Sequence, residues 1–468
     1  MPVATIPLIK GTQKGKTGLA TDYRDRLLVN MIAIPADDIE DRYYLRSHPG
    51  LVEFGQGISY DRGGRWNDRF ATHYRVSGGY LVEVSADGTV TPLGPVSGAT
   101  QTSHTYSFNN HGVVAGGRFY LHNQIDGFRV FDDPDLGKPI DVCWIDGYFF
   151  FTDGESIYHT DITDETKIDP LQFAGAEFMP DSILGVMKDV DNQVIVFGRY
   201  TTEYFINRAT DNFAFQRITQ KGQKIGIVGT HAKCEMGAEI VILGSREREA
   251  NAVYIIGLGN STRISSREID RVIQQYTDDE LTNVILEPRS ERGIQLLLIH
   301  LPEETLLFNA SLAKAHGPLN AWSVLETGSL PWQAVNGVYD PRLSKYVYGD
   351  KRKALLGTLT DERSSVYGEH NESVFYSPLV AIEGASIDRI ELDIAPGFTG
   401  GRTSVAVSTT ENGITFSRET FSLYGDQHNY SRRFIARALG YIRQDIGFKF
   451  RLVTDDVLVF STLSLNYG

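Results

Sequence analysis

Gly11-Thr-Gln-Lys-Gly-Lys16-Thr17 comes nearest in this 468-residue sequence to a phosphate-binding loop. That chemistry needs G-x-x-x-x-G-K-[ST], so that backbone N–H groups wrap the phosphates and the lysine reaches their far end. Here the first glycine stands one position too close, no apolar strand precedes it and no apolar-periodic helix follows, so the segment reads as a basic arm. Gly257-Leu-Gly259-Asn-Ser-Thr262 opens like a dinucleotide fingerprint but carries threonine where a third glycine should allow close helix packing, and reads as a turn. Thr409-x-Glu411-x-Gly413-x-Thr415-Phe416 approaches the Asp-box of sialidase-like propellers, a turn device without catalytic groups, and Asn412-Gly413 is itself a hairpin-turn pair.

Other reactive patterns fail in the same way. The 11 histidines are scattered without HExxH or His-x-His, and His300 within LLLIHLP is expected to be a satisfied core histidine. Asp133-x-Asp135-x-Gly137 is too short of ligands for a calcium loop, and no G-x-S-x-G elbow occurs. Cys143 and Cys234, far apart in the sequence, give neither a disulfide framework nor a cysteine zinc site. A glycosidase needs two carboxylates facing each other across a cleft, which spacing in sequence cannot supply. As an enzyme the sequence therefore declares almost nothing, and no cofactor and no metal are expected.

Positioning elements would have to come from β-structure. With 46 Gly, 23 Tyr and 24 Phe, the composition suits many short strands joined by tight turns. A net charge of −14 argues against gripping nucleic acid over the whole surface. The start, MPVATIPLIK, has no basic segment followed by an apolar run, so no secretory signal is expected. Apolar stretches such as residues 294–302 fall far below the roughly 20 residues of a membrane helix, and no membrane insertion is expected.

Hairpin patterns recur at 78–94, 116–132, 145–162, 191–208, 237–257, 292–311 and 343–360, seven in all, with a loosely regular spacing of their starts. The average spacing is close to the repeat of a four-stranded propeller blade, and strands too short to bury a face alone are stabilised by radial packing against neighbours. The reading is a mainly β fold: a β-propeller of about seven hairpin-based blades over residues 41–365, after an N-terminal basic arm at 1–40. A set of unrelated hairpins in a sandwich is the competing architecture. Within 265–283, Ile269, Val272, Ile273 and Tyr276 at i, i+3, i+4 and i+7 predict a short helical insertion between blades, capped by Ser265 or Ser266. Thr277 with Glu280 predicts a capping box opening a second turn. The insertion is also a candidate subunit contact.

From about Ser373 the texture changes to longer alternating strands, as at 387–396 and 403–410, predicting a separate C-terminal β-domain over 366–468. Between Ser431 and Arg451 lie six cations, Arg432, Arg433, Arg437, Arg443, Lys449 and Arg451, against Asp445 alone. The N-terminal stretch up to Asn30 is also basic, through Lys10, Lys14, Lys16, Arg24 and Arg26 against Asp22 and Asp25. Lys10, Lys14, Lys16 and the six C-terminal cations are the candidate assembly interface; ordinary solvated surface is the alternative.

Several runs carry a family resemblance. Met1-Pro2, Pro7, Lys10-Gly11, Asp22-Tyr23, Asp25-x-Leu27-x-Val29-Asn30-Met31, Ala33-x-Pro35 and Tyr44-Leu45-Arg46-Ser47-x-Pro49-Gly50 form the first set. Further matches are Tyr254-Ile-Ile-Gly257-x-Gly259, Ile269 to Glu280, Leu297-x-Ile299-His300-Leu301-Pro302, Trp322-x-Val324-Leu325-x-Thr327-Gly328, Gly349-Asp350-Lys351, Gly413-Ile414, Arg418-Glu419 and Ile446-Gly447-Phe448-Lys449-x-Arg451. Together they resemble the packaged-DNA stabilisation proteins of short-tailed bacteriophages, the tail hub or nozzle family. Leu28 and His48 depart from that pattern, where a proline and an aromatic residue stand, and residues 60–250 match in texture only.

The resemblance implies a non-enzymatic structural component of the virion tail, made and assembled in the host cytoplasm. It implies a hexameric ring below the phage portal and adaptor proteins. That ring would close the channel on packaged DNA and carry the tail needle or plug and the tailspikes, with genomic DNA passing through the lumen without sequence-specific binding. An acidic lumen wall would keep DNA from sticking during ejection, with the basic ends at protein contacts. The other readings are a carbohydrate-active propeller and a receptor-binding or scaffold propeller.

Overall fold

In the computed structural model, residues 2–6, 8, 27–35, 43–176, 179–210, 213–257, 259–318, 321–328, 330–382 and 384–468 are described. Short strands separated by tight turns dominate, as the glycine and aromatic content requires. Asp146-Gly147 shows the local logic: both residues take positive φ, 52° and 96°, and so turn Asp141–Ile145 directly into Tyr148–Thr152.

Four-stranded antiparallel units follow one another around an axis. Their innermost strands are Asp61–Asn67, Ser103–Tyr106, Asp141–Ile145, Ile183–Lys188, Lys233–Met236, Ile285–Glu291 and Ala334–Asp340. Six units are self-contained sheets; the one beginning at Ile285–Glu291 continues into the C-terminal region. Each of the seven sequence hairpins falls within one of these units. The last unit takes its outer strand, Gly50–Gln56, from before the first, pairing it antiparallel with Leu355–Thr360. The ring is thus fastened by hydrogen bonds between distant parts of the chain.

Apolar side chains are sandwiched between successive blades. Val76, Leu81 and Val113 join the first to the second, Phe119, Phe149 and Phe151 the second to the third, and Phe150, Val196 and Phe205 the third to the fourth. Val82, Val84, Val347 and Leu356 close the last on the first. Tyr148–Thr152 is buried along its whole length, as expected for a strand covered on both faces.

The predicted insertion is present between the fifth and sixth blades. Arg267–Ile273 is a helix capped by the Ser266 side chain, and Asp278–Leu281 opens with the Thr277–Glu280 capping box. Ile269, Ile273 and Leu281 are fully buried in the cluster that contains Trp322, and Trp322 Nε1 donates to the Ile264 carbonyl at 3.1 Å. A further helix, Ala310–His316, capped by Asn309, lies between the third and fourth strands of the sixth blade.

C-terminal strands form two sheets facing each other over Phe375, Phe448, Phe450 and Phe460. One contains Asn371–Tyr376, Asp445–Thr454, Thr403–Thr410 and Thr420–Gly425; the other contains Val459–Tyr467, Ala385–Ile394 and Phe434–Arg437. N-terminal segments complete both. Val3–Ile6 pairs with Val459–Tyr467, while Met31–Pro35 and Tyr43–Ser47 pair with each other and the latter with Val459–Tyr467. Leu28–Val29 bridges Trp322–Thr327 of the sixth blade and Asn371–Tyr376 of the sandwich. The described part of the 1–40 segment is thus sheet rather than a free arm, because its apolar residues, Ile6, Met31 and Ala33, are needed in the sandwich core.

Candidate assembly surface and channel

Period-2 alternation decides where the C-terminal cations point. In Asp445–Thr454, Phe448, Phe450 and Leu452 are buried, which turns Lys449 and Arg451 to the other face. Arg451 makes a bidentate pair with Glu419, at 2.7 and 2.6 Å, and stands 3.7 Å from Glu372. These hydrogen bonds raise the Arg451 guanidinium above its ordinary range and hold the Glu419 carboxyl below its own. The Lys449 ammonium lies 5.9 Å from the centre of the Phe416 ring.

Arg432, Arg433, Arg437 and Arg443 belong to the opposite sheet and its connections, and all four are exposed. Arg433 bonds to Glu391, which also accepts from Arg389 at 2.6 Å. Arg437 pairs across the strands with Arg389. Among the described residues, Arg432, Arg437 and Arg443 have no carboxylate within 4 Å. The six cations therefore do not converge on one patch: two are neutralised by carboxylates that sequence proximity did not reveal, and three remain as exposed unpaired charge. Lys10, Lys14 and Lys16, with the Gly11–Thr17 motif, lie outside the described residues.

Around the propeller axis the lining is polar. A cavity of about 530 Å³ is bounded by Arg65, His104, Asp141, Lys188, Lys233 and Glu287, among others. Lys233 Nζ donates to Asp141 Oδ2 at 2.7 Å, and the same oxygen accepts from the Val186 N–H at 2.8 Å, so one carboxylate ties three successive blades. Cys143 lines this channel but is buried, and burial with the nearby Asp141 charge pushes its thiol well above the ordinary range. Cys143 and Cys234 are both free. Among the described residues no group of three His, Cys, Asp or Glu is arranged to hold a metal ion.

The other sequence motifs resolve as local structure. Gly257 ends one strand and Gly259, at φ 81°, turns the chain into Asn260–Arg263. Asn412 Oδ1 accepts from the N–H groups of Ile414 and Thr415, fixing the loop after Thr403–Thr410. His300 is buried, but only half of the expectation for it holds: its Nε2 meets Glu287 Oε2 at 3.2 Å while Nδ1 has no partner among the described residues.

Sequence profiles of one family cover nearly the whole chain. Residues 4–364 match the profile described as Bacteriophage P22 Gp10, beta-propeller, and residues 372–468 match Bacteriophage P22 Gp10, beta-sandwich. The chain is 29% identical over 479 aligned residues to the tail hub protein gp10 of Salmonella phage P22, covering 98% of each. Among solved structures, virginiamycin B lyase from Staphylococcus aureus aligns with 66% of this chain and 98% of its own, at 11% identity and a TM-score of 0.45. The C-terminal WD40 domain of Sif2 aligns with 66% and 98%, at 11% identity and a TM-score of 0.40. With propeller and sandwich both matched, in that order and nearly end to end, the chain belongs to the bacteriophage P22 Gp10 family.

Proposed function

We propose that this protein is the tail hub of a short-tailed bacteriophage: a non-enzymatic wall element, six copies of which form a ring below portal and adaptor. The ring closes the exit channel on packaged DNA and docks the tail needle and tailspikes. The observation that carries this reading is the near end-to-end relationship to a protein named as a tail hub, spanning both domains. A propeller fastened by its own N-terminal strand and hydrogen-bonded through Leu28–Val29 to a sandwich suits a part that must hold its shape under load. Mechanical closure needs no hydrolytic group.

In the same reading the acidic surplus of the chain faces the lumen and repels DNA, while the exposed cations of the sandwich meet protein. The electrostatic potential of the assembled ring tests this, and a positive lumen would contradict it. The function itself is tested by genome retention. DNA-filled particles lacking this protein should leak nuclease-sensitive DNA, and adding the purified protein should stop the leak; leakage unchanged by the protein would refute the proposal.

A further inference from the structure

At the end of the axis where the innermost strands begin lies a second cavity, of about 620 Å³. Asp61 and Ile285 are the first residues of their strands and Val335 the second of its own; all three line it. Its walls are apolar at Leu301, Pro302 and Pro331 and cationic at Arg62, Lys351 and Arg352.

Among the described residues, none of these cations is within 4 Å of a carboxylate. Arg62 is 1% exposed, yet among the described residues its guanidinium donates only to carbonyls, those of Thr100 at 2.8 Å, Gly78 at 2.8 Å and Ser97 at 2.9 Å. Lys351 Nζ donates to Thr305 Oγ1 at 3.2 Å, and among the described residues it has no carboxylate within 4 Å. Arg352 is exposed and likewise unpaired among them. The carboxylates on the wall are already committed. Asp61 accepts from Arg75, Asn336 and the Gly63 N–H, and Glu280 accepts from Thr277 in its capping box. His300, 4% exposed and also lining the cavity, has an Nδ1 without a partner among the described residues.

A desolvated cation without a counter-ion is costly, and an incoming anion offsets that cost. We infer that this cavity is a carboxylate-binding site that receives a Glu or Asp side chain presented by a protein partner at the axial mouth. The apolar walls fit the aliphatic stem of such a side chain, and the cations offer charge-assisted donors to its oxygens. A nucleic-acid backbone suits the site less, because the chain as a whole carries −14 and repels a polyanion. Burial, acting with Arg352 and against Glu287 and Asp350, brings Lys351 down to about 8, as expected of an ammonium short of solvation. The site is a property of the isolated chain and stands apart from the hub assignment.

The test uses the full-length protein and N-acetyl-glutamate amide, with the isosteric N-acetyl-glutamine amide as the neutral control, followed by saturation-transfer NMR. Binding of the glutamate probe should exceed that of the glutamine probe at least tenfold. It should fall at least tenfold in Lys351→Met and in Arg352→Ala, survive in Lys351→Arg, and be unaffected by Lys345→Met, a change at an exposed strand position. Thermal melting of each variant confirms that it is folded. Equal binding of the two probes, or glutamate binding unchanged in both loss variants, would overturn the assignment. Displacement of the probe by inorganic phosphate or by a single-stranded oligonucleotide, at concentrations below those needed by the probe itself, would also overturn it, in favour of a phosphate site.

Discussion

Arg75 Nε donates to Asp61 Oδ2 at 2.7 Å, in a pair buried where the first blade meets the last. The same guanidinium reaches the carbonyls of Asn336 at 2.8 Å and Val347 at 3.2 Å, and Asn336 Nδ2 donates to Asp61 Oδ1 at 2.8 Å. Residues from the two ends of the propeller sequence are thereby locked together. Closure of the ring rests on this network as well as on the Gly50–Gln56 strand.

Breaking the network from one side should be strongly destabilising. Arg75→Met leaves Asp61 buried without its cation, and a loss of about 3–5 kcal/mol is expected in urea unfolding. In the double variant Asp61→Leu/Arg75→Met the loss should be well below the sum of the single effects, since no orphaned charge remains. A loss within about 0.5 kcal/mol for the single variant would show that the pair does not hold the ring shut.

Acid should weaken the fold well above the carboxylate range. Burial, reinforced by Arg75 and Arg342 and opposed by Asp340, lowers His73 to about 4; burial and Lys351, opposed by Glu287, lower His300 to about 4. An unfolded chain takes up these protons near 6.5. Stability contributed by the two neutral imidazoles is therefore complete above pH 6.5 and is lost as pH falls from 6.5 toward 4, by at most about 3 kcal/mol for each. Unfolding free energies measured across this window should decline, and His73→Asn should flatten the decline. A pH-independent stability between 4.5 and 7 would contradict the burial of these rings.

Charge reversal separates the exposed cations from the paired ones. Arg432→Glu/Arg437→Glu/Arg443→Glu should leave monomer stability within about 1 kcal/mol while abolishing incorporation into tails. Arg451→Glu should instead lower the melting temperature, because it faces Glu419 and Glu372. Normal tail assembly of the triple variant would mark those arginines as plain surface.

The sandwich should not survive excision. A fragment spanning 366–468 lacks Val3–Ile6, Met31–Pro35 and Tyr43–Ser47, whose Ile6, Met31, Ala33 and Leu45 fill its core. It is expected to bind a hydrophobic dye and show poor amide dispersion. A folded, dispersed spectrum from that fragment alone would show the N-terminal strands to be dispensable.

Much of this architecture is legible without coordinates. Hairpins with apolar alternation and Gly-containing turns, such as 145–162, declare themselves locally, and so does the capped helical insertion at Ser266 and Thr277. Innermost strands are harder to see. Asp61–Asn67 reads DRGGRWN, a polar run that forms a strand because its polar groups find partners in its own blade and the adjoining one. Helix Ala310–His316 is hidden behind an apolar strand, although Asn309, an alanine-rich run and Gly317 are its signals. The contribution of Leu28–Val29 and Met31–Pro35 to sheets built mainly from the far end of the chain has no local signature. Nor do the carboxylates that neutralise Arg433 and Arg451, since Glu391 and Glu419 come from other strands and loops.

Electron microscopy of the purified protein with and without portal–adaptor complex tests the central claim most directly. A closed ring of this protein seated on the adaptor end of the complex, occluding its channel, is the result expected of a tail hub. Particles in which the protein stays monomeric beside a bare portal–adaptor complex, at concentrations well above those of assembly, would contradict it.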